Sequence, residues 1–150
     1  MSIKTYEQLT FTAAFLSERL GSATVYYNGQ SITSASGYGF DTREFDDCIC
    51  SLNVGTVTGA IATLVNDVYE CDTDDPSAAT ALSGGNFPDI NADNDERLIH
   101  GSILCKDTKR FLFLRTEAQG EPLTADFGST WIGGTKRDTL LTPVSVQFDL

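Results

Sequence analysis

The sequence predicts an all-β chain: an antiparallel β-sandwich or jelly-roll-like single domain with extended terminal arms. Three observations predict it. Short apolar segments recur at roughly 8–14-residue spacing, with turn residues between them. Several of these segments alternate apolar and polar side chains, the period of a strand with one face covered. Finally, 150 residues with 41% apolar content suit one domain that can hold a real core without staples.

The elements follow in order. In residues 3–21, Ile3, Tyr6, Leu9, Ala13, Leu16 and Leu20 recur at helix spacing and Gly21 supplies a stop, although Leu9-Thr-Phe-Thr is β-prone. A short N-terminal helix or an extended arm is expected there rather than a core strand. Residues 23–27 read as a strand, and Asn28-Gly29 is a type I′ turn signal leading into Gln30-Ser-Ile-Thr. Residues 34–39 are small and read as a linker or surface loop.

A strand over 44–54 puts Cys48, Cys50, Leu52 and Val54 on one face, and residues 55–59 are expected to turn the chain. A long strand over 60–71 follows, ending in the acidic loop Asp72-Thr-Asp-Asp-Pro. Residues 78–82 and 87–90 are short segments broken by Gly84-Gly85 and Pro88. Strands are expected at 97–105, at 110–118 (the most apolar, hence central) and at 123–132, the last closed by Gly133-Gly134. Residues 140–150 read as a tail strand, or an arm that needs a partner. The division is 1–38 for an N-terminal arm and hairpin, 39–134 for the sandwich core and 135–150 for a C-terminal strand or arm, within one domain.

Net charge is −11, placed unevenly. Residues 1–96 carry Lys4, Arg19 and Arg43 against fifteen carboxylates, whereas 97–150 carry seven basic residues against six acidic ones. Such a surface repels nucleic acid and anionic membranes and suits docking on a basic protein surface. The start Met1-Ser-Ile-Lys-Thr-Tyr does not have the form of a signal peptide, and no apolar stretch approaches the ~18 residues of a membrane span, so a soluble cytosolic product is expected. Cys48, Cys50, Cys71 and Cys105 sit in apolar strand-like segments and read as reduced, buried thiols.

Few constellations point to chemistry. Asp89-x-Asn91-x-Asp93-x-Asp95 imitates half of an EF-hand loop. However, Asn94 stands where the turn needs Gly, and His100 stands where a bidentate Glu belongs. These four residues are the weak metal candidates, and a solvated acidic loop is the expected reading. Asp72, Asp74 and Asp75 offer oxygens of the same kind beside a turn-forming Pro76. His100, the sole histidine, shares a strand face with Leu98, Ser102 and Leu104, and packing or an interface hydrogen bond is expected of it before general-base catalysis. No nucleophile elbow or phosphate-cradling glycine loop is present: neither Gly84-Gly85 nor Gly133-Gly134 leads into a Lys and a helix. Trp131 ends an apolar strand and reads as a core anchor. Tyr26, Tyr27 and Tyr38 are the aromatics a glycan groove would use. No catalytic residue, cofactor or metal is expected.

The order of features is similar to that of small virion proteins of tailed bacteriophages, of the head-decoration (cement) or minor structural type. The residues that carry this are Gly39-Phe-Asp-Thr-Arg-Glu-Phe-Asp-Asp, Asn53-Val-Gly-Thr-Val-Thr-Gly, Tyr69-Glu-Cys-Asp-Thr-Asp-Asp, Lys109-Arg-Phe-Leu-Phe-Leu-Arg and Trp131-Ile-Gly-Gly. The similarity covers about residues 39–134 and is one of layout, departing from the family's usual pattern at Cys71 and at 111–114. The resemblance implies a non-enzymatic capsid component, commonly a homotrimer, that binds the major capsid protein on the capsid exterior after synthesis in the bacterial host cytoplasm. It leaves open a tail, neck or head-fibre part. The residues by themselves leave open a carbohydrate- or calcium-binding sandwich module.

Overall fold

The computed structural model describes residues 6–11, 16–20, 25–32, 34–59, 63–120 and 123–135. Among them the chain forms eleven strands and three single-turn 3-10 segments, with no α-helix. The strands are β1 (Tyr6–Phe11), β2 (Leu16–Leu20), β3 (Val25–Tyr27), β4 (Gln30–Ser31), β5 (Phe40–Asp41), β6 (Phe45–Thr58), β7 (Thr63–Cys71), β8 (Thr80–Asn86), β9 (Arg97–Leu104), β10 (Phe111–Gln119) and β11 (Leu123–Thr135). All pairings are antiparallel. One sheet runs β1-β11-β6-β9 with β2 also on β11; the other runs β4-β3-β10-β7-β8 with β5 also on β10. The two pack as a sandwich, as the sequence predicts.

The core lies between the sheets. Cys48, Cys50, Leu52 and Val54 of β6 point inward, with Phe127 and Trp131 of β11; Leu64 and Val68 of β7 and Leu112 and Leu114 of β10 face them. Burial of such apolar surface, at about 25 cal/mol per Å², is the main favourable term in folding. Phe111 to Leu114 are buried without a break because β10 is covered on both faces. Its outward Phe111 and Phe113 join Tyr27, Cys71 and a fully buried Ala35 in a second cluster.

Several boundaries differ from expectation. In place of the expected short helix or extended arm, β1 and β2 pair along one edge of β11 from Tyr6↔Gly134 to Leu20↔Leu123. An isolated helix of that length is marginal, whereas the edge of β11 supplies backbone partners. The strand expected at 44–54 does not turn at residue 55. β6 runs on to Thr58 through a bulge at Gly55 and Thr56 opposite Asp126. The bulge shifts the side-chain phase by one, so that both Val54 and Val57 point into the core.

Gly133-Gly134 lies inside β11 instead of closing it, since a Cβ at Gly133 would collide with the Phe45 ring. Likewise, β8 passes through Gly84 and Gly85 with a register irregularity against β7. Residues 34–39, expected as a linker or surface loop, are a largely exposed loop whose Ala35 is buried in the second cluster. The hairpin assigned to the N-terminal arm is part of the second sheet, because β3 pairs with β10. Residues 60–62 and the expected tail strand at 140–150 lie outside the described residues.

Candidate functional surface

The acidic segment proposed for metal is tied into its own fold. The Asn91 amide donates to Asn94 Oδ1 (2.7 Å), the Asp93 amide to Asn91 Oδ1 (2.9 Å), and Asn94 Nδ2 to the Asp89 carbonyl (3.0 Å). Asp95 Oδ2 accepts the Val57 amide at 2.6 Å, and the Glu96 amide donates to the Gly55 carbonyl at 3.1 Å. The loop before β9 thus clamps the bulge of β6, where the ladder to β11 is interrupted. Among the described residues, no group of three or more His, Cys, Asp or Glu is placed to hold a metal ion.

The second acidic loop has a similar structural use. The Gly39 amide donates to Asp74 Oδ1 (2.7 Å) and the Gly37 amide to the Asp74 carbonyl (3.0 Å), fastening the loop that carries Ala35. Asp75 caps the 3-10 segment Pro76–Ala78 through the Ser77 amide, which holds its carboxyl below the usual range.

His100 lies directly across from Ser51, with Ser51 Oγ and His100 Nδ1 2.8 Å apart, on the outward face of the first sheet. Leu98 and Leu104, on the same face of β9, are 59% and 54% exposed. Tyr26 packs edge-to-face on Phe127 and Tyr27 on Phe113 and Tyr69; Tyr38 is exposed. Two of the three aromatics proposed for a glycan groove are therefore engaged in packing. All four cysteines are free and buried. The Cys48 thiol is pushed up by its hydrogen bond with Cys105 and by burial, and Cys50 by burial alone.

Two features carry no signal recognised in the sequence. Asn28 is fully buried with φ +49 and joins the two sheets. Its Oδ1 accepts the Leu114 amide at 2.8 Å and Trp131 Nε1 at 2.9 Å, while its Nδ2 donates to the Tyr38 carbonyl at 2.9 Å. Trp131 is stacked on Phe40, and Phe40 on Phe45. Asn28-Gly29 was read as a turn, and it is one; the inward aim of the amide depends on β3 pairing with β10. The second feature is Asp41, which takes Arg43 Nη2 at 2.7 Å and Arg110 Nη2 at 3.0 Å. Burial acts to raise its pKa, but hydrogen bonds from both guanidiniums outweigh it and hold the carboxyl at about 2.

Among the described residues β8 pairs only with β7, and β9 only with β6. A cleft of about 260 Å³ lies between them, lined by Leu82, Gly85, Ile103, Leu104 and their neighbours. No helix among the described residues is long and apolar enough to cross a membrane.

No protein family, curated protein or solved structure matches the chain.

Proposed function

We propose that this chain is a non-enzymatic structural protein that works by surface contact, as a decoration protein bound to the major capsid protein of a tailed-phage head. The observation that carries the contact role is the outward face of β6 and β9. There, exposed Leu98 and Leu104 lie on the same face of β9 as His100, which pairs with Ser51, a surface suited to a protein partner more than to a small molecule. Side chains weighed for chemistry have structural partners: Asp95 accepts the Val57 amide, and Tyr26 and Tyr27 pack.

The layout over 39–134 supports the virion reading, and net charge of −11 suits docking on a basic shell. Several copies around a local symmetry axis, a homotrimer in this reading, would let modest contacts hold.

The test is reconstitution. Purified protein added to heads stripped of it should rebind and raise their resistance to heat or chaotrope. Leu98→Asp with Leu104→Asp should abolish rebinding while leaving the isolated protein's melting within a few degrees of wild type. Absence of rebinding by the wild-type protein would reject the decoration role.

A further inference from the structure

Two of the four buried thiols touch, and the contact role makes no use of them. We propose that Cys48 and Cys105 form an intramolecular disulfide under a peroxide oxidant, a cross-link that fastens β6 to the turn leading into β10.

The fold brings the pair together inside the core. Cys48 lies on the inner face of β6, directly across from Ile103 of β9. Two residues further on, Cys105 opens the 3-10 segment Cys105–Asp107, and its side chain joins the same apolar cluster. There the two thiols share a hydrogen bond. The segment packs on β6 and is held in place. The Cys105 carbonyl accepts the Thr108 amide at 3.3 Å and Thr108 Oγ1 at 3.0 Å, and the Lys109 amide donates to Glu70 Oε2 at 2.8 Å. Two sulfurs already in hydrogen-bond contact have only to close to about 2 Å.

The other pairings fail on geometry. Cys48 and Cys50 stand two apart on one strand face, which sets their Cβ atoms about 6.6 Å apart, beyond the ~4.5 Å that a disulfide spans. Cys50 lies across from Gly101, well short of Cys105. Cys71 belongs to the second cluster, on the outward face of the other sheet, with Thr73 Oγ1 3.5 Å from its sulfur.

Cys105 is the entry point. It is 5% exposed where Cys48 and Cys50 are 0%, and with Arg43, Asp46 and Lys106 it lines a cleft of about 220 Å³, ample for hydrogen peroxide. The Cys105 thiolate attacks one peroxide oxygen, the O–O bond breaks, and hydroxide leaves as water on taking up a proton. The Cys48 sulfur then attacks the resulting sulfenic sulfur. The S–O bond breaks, and the second hydroxide leaves as water with the Cys48 proton. Two thiols and one hydrogen peroxide give one disulfide and two waters, the sulfurs losing the two electrons that the peroxide gains. Burial holds the Cys48 thiol protonated, so the reaction runs over minutes to hours rather than seconds. Closing the long loop from 48 to 105 should raise Tm by about 5–15 °C.

Peptide mapping tests this. Reduced full-length protein, freed of reductant, is incubated with millimolar hydrogen peroxide without denaturant, alkylated with iodoacetamide in urea, and digested without reduction. The expected result is one peptide pair joined through Cys48 and Cys105, two hydrogens lighter than the free peptides, with Cys50 and Cys71 alkylated. The melt should rise by the stated amount and fall back with dithiothreitol. Cys105→Ser should abolish both effects, whereas Cys50→Ser should keep them. Four alkylated thiols after a full day, a bond through Cys50 or Cys71, a bond between two chains, or Cys105 carried to sulfinic acid with Cys48 still free would each overturn the proposal. A cross-link that leaves Tm unchanged would overturn its role as a fastener. The wild-type map decides by itself, so the test stands even where Cys105→Ser fails to fold.

Discussion

Asn28 permits the sharpest calculation. Substituting it with alanine removes one acceptor and one donor from a fully buried site. The Leu114 amide, the Trp131 indole N–H and the Tyr38 carbonyl each lose their partner in Asn28. A buried polar group left unpaired costs about 1–3 kcal/mol. Alanine at φ +49 adds about 1 kcal/mol of backbone strain. Partial relaxation and water entry lower the sum, so Asn28→Ala should cost about 3–5 kcal/mol, a large share of the ~5–15 kcal/mol typical of a whole domain.

At this chain length that is about 10–15 °C in Tm. Asn28→Gly removes the same hydrogen bonds without the strain and should recover about 1 kcal/mol. Asn28→Asp keeps both donors to Oδ1 but sets a carboxyl oxygen against the Tyr38 carbonyl, so it should be far less stable at neutral pH than at pH 4. Urea unfolding followed by the fluorescence of Trp131, the sole tryptophan, reads all three. A loss below about 1 kcal/mol for Asn28→Ala would refute the idea that this amide joins the sheets.

Three further predictions follow from single contacts. Asp41 is 32% exposed, and its depressed pKa makes its ion pairs stabilising above the ordinary value of 3.8, with that contribution lost as pH falls through about 2. The unscreened depression is worth about 2 kcal/mol, and solvent exposure of both arginines reduces this to about 1 kcal/mol. Wild type and Asp41→Asn should accordingly differ by that amount at pH 7 and converge near pH 2 in urea titrations; a constant gap across that range would contradict the assignment. Gly133→Ala drives a methyl group into the Phe45 ring and should cost about 1–3 kcal/mol, with partial recovery on adding Phe45→Leu; thermal melts of the single and double variants decide it. Native protein at pH 8 should leave Cys48 and Cys50 unmodified by iodoacetamide over minutes, whereas in urea both alkylate quickly; labelling of either in the native state, seen by peptide mass, would show that the inner face of β6 opens.

The apolar alternation of β6 and β9, the unbroken apolar run of β10 and the Asn28-Gly29 turn were legible because strand period and turn chemistry are local properties. They determine an all-β chain with a cysteine-lined inner face and a central β10. Positive φ at Asn28 and Gly29 follows from residue types alone.

What local pattern could not decide was the fate of edges and of phase. Residues 6–20 carry a helix-spaced apolar set, yet strands form there because β11 offers an unfilled edge. Gly55 and Gly133-Gly134 look like stops, but one sits at a bulge that lets Val54 and Val57 both face inward, and the other makes room for Phe45. Asp95 resembles a calcium ligand until the bulge of β6 presents the Val57 amide to it. In each case the deciding partner lies far away in sequence, between 38 and 128 residues, and only the folded arrangement brings the two together. Sequence period therefore determined which segments are strands and which faces are apolar. Tertiary structure decided where the strands end and which polar side chains hold them.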